Sequence, residues 1–180
     1  LKVVYPAFPY DAKGLLISSI EDPNPIMFFE HKALYRTVSQ EVPKDYYNIP
    51  LGKANVIHKG KDISIITYGM GVHWALDSLK DNSDISIEIL DLRTLIPLDL
   101  ESIKETVKKT GKVLILQESN NTGGFGSDIS SFISQHLFEY LDAPIVKVAS
   151  LDTPIPFANE LEVNYLAKSR LSESIRKLFF

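Results

Sequence analysis

The chain contains no cysteine. That excludes disulfides, thiolate metal sites and a cysteine nucleophile, and it fits a reducing compartment. No apolar run reaches the roughly 18 residues a membrane helix needs. No signal peptide stands at the start, and no repeat or low-complexity stretch interrupts the pattern. A basic excess is missing too: 19 Lys and Arg face 23 Asp and Glu, a net charge of −4, which disfavours nucleic acid as a general partner. The first residue is leucine, and "LKVVYP" opens directly on a strand-like run. The expectation is a piece of a longer polypeptide with functional residues upstream.

What is present is ordinary globular material. The 180 residues are 44% hydrophobic and 23% charged, enough for one large domain or one and a half small ones. "KVVYP" (Lys2–Pro6) reads as a strand. Asp11–Asp22 reads as a helix with Asp11 as N-cap and Leu15, Leu16, Ser19 and Ile20 on one face, stopped by Pro23. "IMFFE" (Ile26–Glu30) reads as a buried strand. Val38–Asp62 is long, polar and aperiodic, and reads as a linker. Strands and helices then alternate: "DISIITYG", "VHWALDSLKD", "SIEILDLRT", "DLESIKETVKKTG", "KVLILQE", "SDISSFISQHLFEYL", "PIVKVAS", "SRLSESIRKLFF". Such alternation predicts a mostly parallel sheet covered on both faces. Asp99 is the expected N-cap of the fourth segment, and Gly111 its stop.

Several stretches invite a chemical reading. "TYGMGVH" sets Gly69 and Gly71 between strand and helix with Asp91 beyond, imitating a dinucleotide fingerprint. Trp74 replaces the third glycine, so a tight turn is the favoured reading. "NNTGGFGSD" (Asn120–Asp128) puts three glycines before a helix, where free N–H groups would suit an anion. No lysine or arginine lies beside them in sequence, and the glycines would equally permit a close approach. His31, His58, His73 and His136 show no metal spacing. His73 would face a cleft or serve as a cap. Arg93 stands past a strand's carboxyl end, either lining a crevice or paired with Asp91 or Asp99. In "SSIEDPNPIMFFEHKALYR", Asp22 and Asn24 offer oxygens beside the carbonyl end of a helix. Such oxygens suit a hard cation, but Asp, Asn and Pro also make an ordinary turn, which is the favoured reading of these residues alone.

Five collinear stretches carry a resemblance. "AKGLLISSIEDPNPIMFFEHKALYR", "VPKDYYNIPLGKANVIHKGKDISIITYG", "ILDLRTLIPLD", "TGGFGSDISS" and "DTPIPFANELE" together resemble the β subunit of the thiamine-diphosphate-dependent E1 component of 2-oxoacid dehydrogenases. The branched-chain type is most alike and the pyruvate type next. The resemblance implies an α/β fold of three layers, α/β/α. Its five-stranded sheet would be mostly parallel with one antiparallel strand, as in a transketolase C-terminal domain. Residues 1–40 would be the tail of the pyrimidine-binding domain, 41–54 a linker, and 55–180 the C-terminal domain. In the branched-chain type the corner binds structural potassium, which implies Ser19, Asp22 and Asn24 as ligands; family members carry cysteine where Ser19 stands. The remaining ligands, the cofactor-activating glutamate and a catalytic histidine lie upstream in the family. Thiamine diphosphate and its magnesium are held by the α subunit, so this chain is expected to carry no catalytic or cofactor-binding residue. Gln117–Glu118 departs from the His-Glu of many branched-chain members.

The resemblance thus implies a C-terminal piece of an E1 β chain, or of a fused α–β E1 (the EC 1.2.4 type), inactive alone. Expected partners are the E1 α part, a second β chain and the E2 subunit-binding domain, with no nucleic acid and no membrane. The location would be bacterial cytoplasm, or the mitochondrial matrix in a eukaryote. Two alternatives stand beside it. One is the matching domain of transketolase or deoxyxylulose-phosphate synthase. The other is a non-catalytic binding module working through Phe179 and Phe180.

Overall fold

The computed structural model describes all residues, Leu1–Phe180. Its elements are β1 (Lys2–Val4), α1 (Pro9–Glu21), β2 (Ile26–Phe28), α2 (Leu34–Thr37), β3 (Asn55–His58), β4 (Ile63–Thr67), α3 (Met70–Ser78), β5 (Ile87–Asp91), β6 (Thr94–Ile96), α4 (Leu100–Thr110), β7 (Val113–Asn120), α5 (Gly126–His136), β8 (Val146–Ser150), α6 (Asn159–Tyr165) and α7 (Lys168–Phe179).

Five strands form the main sheet in the order β3-β5-β4-β7-β8. β4 runs parallel to β5 and β7, β7 parallel to β8, and β3 alone antiparallel to β5. The expected sheet, parallel but for one strand, is therefore the one found. Every residue of β4 and β5 is buried, as strands covered on both faces must be. Alternation along β4 sorts its side chains. Ile63 and Ile65 join Trp74, Leu171 and Ile175 beneath α3 and α7, while Ile66 joins Ile103, Val107, Ile129 and Ile133 beneath α4 and α5. Asp99 caps α4 by accepting from the Ser102 N–H at 3.2 Å, and Gly111 ends that helix, as expected.

The second sheet holds three strands, β2-β1-β6. β1 pairs parallel with β2 across α1, and antiparallel with β6 through Val3↔Ile96 and Val4↔Thr94. Strand β6 is absent from the sequence reading. It comes from the "RTLIP" turn, too short to show alternation, and draws a strand of the later chain into the N-terminal sheet. Three further readings are corrected. α1 begins at Pro9, a residue suited to a first turn, so Asp11 lies inside the helix and is not its cap. Leu15 is buried, but Leu16 and Ile20 face outward, 43% and 75% exposed. β2 is an edge strand with Met27 47% exposed, not a buried one.

Residues 41–54 contain no helix or strand and strap across α1. Ile49 N–H donates to Gly14 O at 3.1 Å, and Lys13 Nζ donates to the carbonyls of Lys44 and Asp45 at 3.2 and 2.8 Å. Tyr47 stacks on Tyr10 with ring centroids 4.6 Å apart. Gly14 is required here: a Cβ would lie 2.6 Å from Ile49 Cγ1.

Candidate functional site

From β4 the chain passes to β5 on one side and to β7 on the other. That reversal opens a crevice at the strands' carboxyl ends, the usual ligand position in open α/β sheets. Four arrangements are candidates, and the first lies away from these ends, at the start of β1 and β2.

The corner after α1 brings Ser19, Asp22 and Asn24 together. Pro23 and Pro25 lack N–H groups, so the carbonyls of Ser19 and Glu21 have no helical donor four residues on. Asn24 N–H donates to Asp22 Oδ1 at 2.9 Å, and Asn24 Nδ2 donates to the same oxygen at 3.0 Å, which leaves the amide oxygen of Asn24 free. Lys2 Nζ pairs with Asp22 Oδ2. Hydrogen bonds from Lys2 and then Asn24 hold the Asp22 carboxyl down at about 2. Ser19 Oγ is spent on Leu15 O at 2.7 Å, so only its carbonyl is available to a ligand. The residues form the Asx-type turn and also fit a monovalent cation: one carboxylate, one amide oxygen and free helix-end carbonyls, with an ammonium already supplying positive charge there.

A second cluster joins the two sheets. Arg93 Nη2 donates to Asp11 Oδ1 on α1 at 2.6 Å. Its backbone N–H donates to Asp91 Oδ1 at 3.0 Å, and its carbonyl accepts from Tyr5 N–H at 2.8 Å. Arg93 adopts φ 57°, a left-handed conformation that costs a non-glycine residue about 1 kcal/mol or more. The sequence left Arg93 either lining a crevice or paired with Asp91 or Asp99; its side-chain partner is Asp11, 82 residues away, and it lines a shallow crevice with Phe8, Tyr10 and Asn55. Asp91 is fully buried, its Oδ2 lacks any partner, and burial pushes its carboxyl up to about 7. Asp99 is occupied elsewhere, accepting from Ala54 N–H and Ser102 Oγ.

The glycine loop before α5 closes on the protein itself. Gln117 Oε1 accepts from Gly126 N–H at 2.7 Å, and Gln117 Nε2 donates to Asn120 O at 2.8 Å. A Cβ on Gly124 would sit 1.8 Å from Gln117 Nε2, so these glycines make room for the glutamine. Thr122 gives its N–H and hydroxyl to Asp152 at 2.8 Å each. Lys147 reaches the loop from β8, but its ammonium is engaged with Asn121 O and Ser127 Oγ. With the Gln117 amide oxygen and the Asp152 carboxylate holding its N–H groups and its base committed, the loop does not fit a diphosphate. "TYGMGVH" is likewise a turn, with Trp74 in the core. No three His, Cys, Asp or Glu side chains assemble as a metal-ligand set.

His73 does not act in a cleft. Its Nε2 bonds Ala7 O at 2.8 Å and its ring packs on Phe8. His31 meets Glu118, Nε2 to Oε1 at 3.0 Å, across 87 residues of sequence. Beside this pair, Tyr5, Tyr68 and Tyr165 line a crevice of about 400 Å³ at the strand ends. Sequence reading missed this group, since no spacing links residues so far apart.

Comparison with known proteins places this geometry. The family model "Transketolase, C-terminal domain" matches residues 52–170. The 2-oxoisovalerate dehydrogenase subunit beta of Bacillus subtilis is 43% identical over 99% of this chain and 56% of its own length. The pyruvate dehydrogenase E1 component subunit beta of Porphyra purpurea is 48% identical over 90% of this chain and 49% of its own. The chain thus spans about half the length of the curated relatives it matches. Among solved structures, a chain described as "Split gene transketolase, inactive beta4 tetramer" superposes with a TM-score of 0.79 at 24% identity, covering 99% of this chain and 57% of that one. At that identity the likeness speaks for the fold alone.

Proposed function

The chain belongs to the transketolase C-terminal domain family, and from that premise we propose that it is part of a 2-oxoacid dehydrogenase E1, as a β subunit or within a fused α–β chain. The observation that carries the reading is the similarity to E1 β subunits running through both sheets, from β1 to α7. The whole enzyme would decarboxylate a 2-oxoacid and pass the acyl group to a lipoyl arm. Thiamine diphosphate, when bound, supplies the electron sink. Following the resemblance, we assign the cofactor's diphosphate and its magnesium to the α part. The role left to residues 1–180 is scaffold: the tail of the pyrimidine-binding domain (1–40), a strap (41–54) and a C-terminal domain (55–180). These would offer surfaces to the α part, a second β chain and the E2 subunit-binding domain. The compartment would be bacterial cytoplasm or the mitochondrial matrix; no helix is long and apolar enough to cross a membrane.

The test is to purify the native polypeptide that contains this chain. Dye reduction with pyruvate and with 3-methyl-2-oxobutanoate is then followed with and without thiamine diphosphate. The reading expects cofactor-dependent turnover of at least one 2-oxoacid. Turnover of sugar phosphates instead, or of neither class, would refute it.

At the corner after α1, we propose potassium held by the Ser19 carbonyl, the Asp22 carboxylate and the Asn24 amide oxygen. The two prolines support this by depriving neighbouring carbonyls of donors. In thermal melts at equal ionic strength, KCl should raise Tm above LiCl and tetramethylammonium chloride, and Asp22→Asn should abolish the difference. Identical melting in all three salts would sink the assignment.

A further inference from the structure

The crevice at the carboxyl ends of β4 and β7 has a composition the scaffold role does not explain. Three tyrosines form its walls, Tyr5, Tyr68 and Tyr165, and two carboxylates, Glu118 and Glu162, stand at its edge. No lysine or arginine lines it. Tyr165 gives its hydroxyl to Asn120 Oδ1 at 2.9 Å, and Asn120 spends its amide on the carbonyls of Leu151 and Thr153, so those two are internally satisfied. Tyr68 is hydrogen-bonded to Ser119, so only the Tyr5 hydroxyl remains, and the two rings stand 5.7 Å apart. Glu118 meets His31 through one oxygen only, which leaves the other open, and no basic residue pairs with Glu162.

An aromatic face presents negative charge to a cation, and the attraction strengthens as water is excluded. Carboxylates at the rim add to it and repel anions. Burial, then the charge of Glu118, push Tyr5 up to about 12; burial also raises Tyr68, where a hydrogen bond with Ser119 pulls the other way and Glu118 adds a smaller rise. A neutral polyol would leave Glu162, and the second oxygen of Glu118, unmatched.

We propose that this crevice is a binding site for a cationic nitrogen group, an alkylammonium or guanidinium, seated against Tyr5 and Tyr68 and paired with Glu118. The site stands on its own residues and does not depend on the enzyme reading. The group would arrive either as a lysine or arginine side chain of another polypeptide or as a free amine.

The test uses the 180-residue chain with 13C-labelled tyrosine rings, whose eight residues give separate reporters. Chlorides of n-butylammonium, n-butylguanidinium and tetramethylammonium are titrated at constant ionic strength, with n-butanol as the uncharged control. Saturable shifts are expected at Tyr5 and Tyr68 with the cations and not with butanol. Tyr35 and Tyr46, exposed and bonded to Glu30 and Glu21, should stay still. Glu118→Gln should weaken binding about tenfold, the scale of one partly desolvated cation contact. Glu162→Gln, on the exposed face of α6, should weaken it less and fold normally. Preference for the butyl cations points to a group that donates N–H to Glu118, as lysine, arginine or a primary amine does; preference for tetramethylammonium points to a quaternary amine; both support the site. Equal shifts with butanol, no saturable shift with any cation, or unchanged affinity in a folded Glu118→Gln would overturn it. If Glu118→Gln does not fold, the cation-against-alcohol comparison in the parent chain decides alone.

Discussion

Asp91→Asn should make the protein more stable at pH 8 while changing it little near pH 4. Asp91 is fully buried beneath the Arg93 turn, with one oxygen bonded to the Arg93 N–H and the other facing no donor. Burial lifts its carboxyl from the ordinary 3.8 to about 7, and the nearby Asp11 charge adds to the rise, while Arg93 pulls the other way. An acid whose folded pKa exceeds its unfolded one holds its proton more tightly when folded. Its contribution is therefore fully present below about pH 4 and is lost as pH climbs to about 7. At about 1.4 kcal/mol per pH decade, that interval is worth roughly 4 kcal/mol. Asparagine keeps the acceptor for the Arg93 N–H and cannot ionise. Its buried amide N–H replaces the carboxylic O–H as the unmatched donor, so the two chains should agree in acid. Urea unfolding from pH 4.5 to 8.5 would measure the difference, and titrations of other groups cancel in it. The variant should gain most of that roughly 4 kcal/mol on the parent as pH rises. Parallel stability curves would refute a buried, proton-holding Asp91.

Two further substitutions probe how the glycine loop and the strap are held. Gln117→Ala removes the acceptor for Gly126 N–H and a donor to Asn120 O. A loss of about 1–3 kcal/mol is expected in urea, with faster amide exchange at Gly126; unchanged exchange there would show that the glutamine does not hold the loop. Gly14→Ala drives a Cβ into Ile49 and Tyr47. It should cost about 1–3 kcal/mol and speed proteolysis within residues 41–51, with cleavage at the parental rate as the contrary result.

Local chemistry made much of this fold legible. The strand–helix alternation, the Asp99 cap and the Gly111 stop are written in neighbouring residues, and the layered sheet follows from them. What stayed hidden depends on partners far apart in sequence. Strand β6 exists because β1 offers it an edge, and its three residues show no pattern of their own. Asp11 looks like a helix cap until Arg93 arrives from the β5–β6 turn. "TGGFG" leaves an anion loop and a close approach both open, because nothing nearby announces that Gln117 fills the space its glycines leave. At the corner the Asp22–Asn24 turn was visible in neighbouring residues, Ser19 entered only through the resemblance, and the Lys2 ammonium on Asp22 comes from the neighbouring strand.

We propose that residues 1–180 serve as scaffold for a thiamine-dependent 2-oxoacid dehydrogenase whose chemistry lies in other segments. This role is tested most directly by release of labelled carbon dioxide from 1-14C 2-oxoacids, with thiamine diphosphate and magnesium supplied. The native polypeptide, with its α part, should release it, and residues 1–180 alone should not. Decarboxylation by the 180-residue chain by itself, or none by the native protein, would contradict the account.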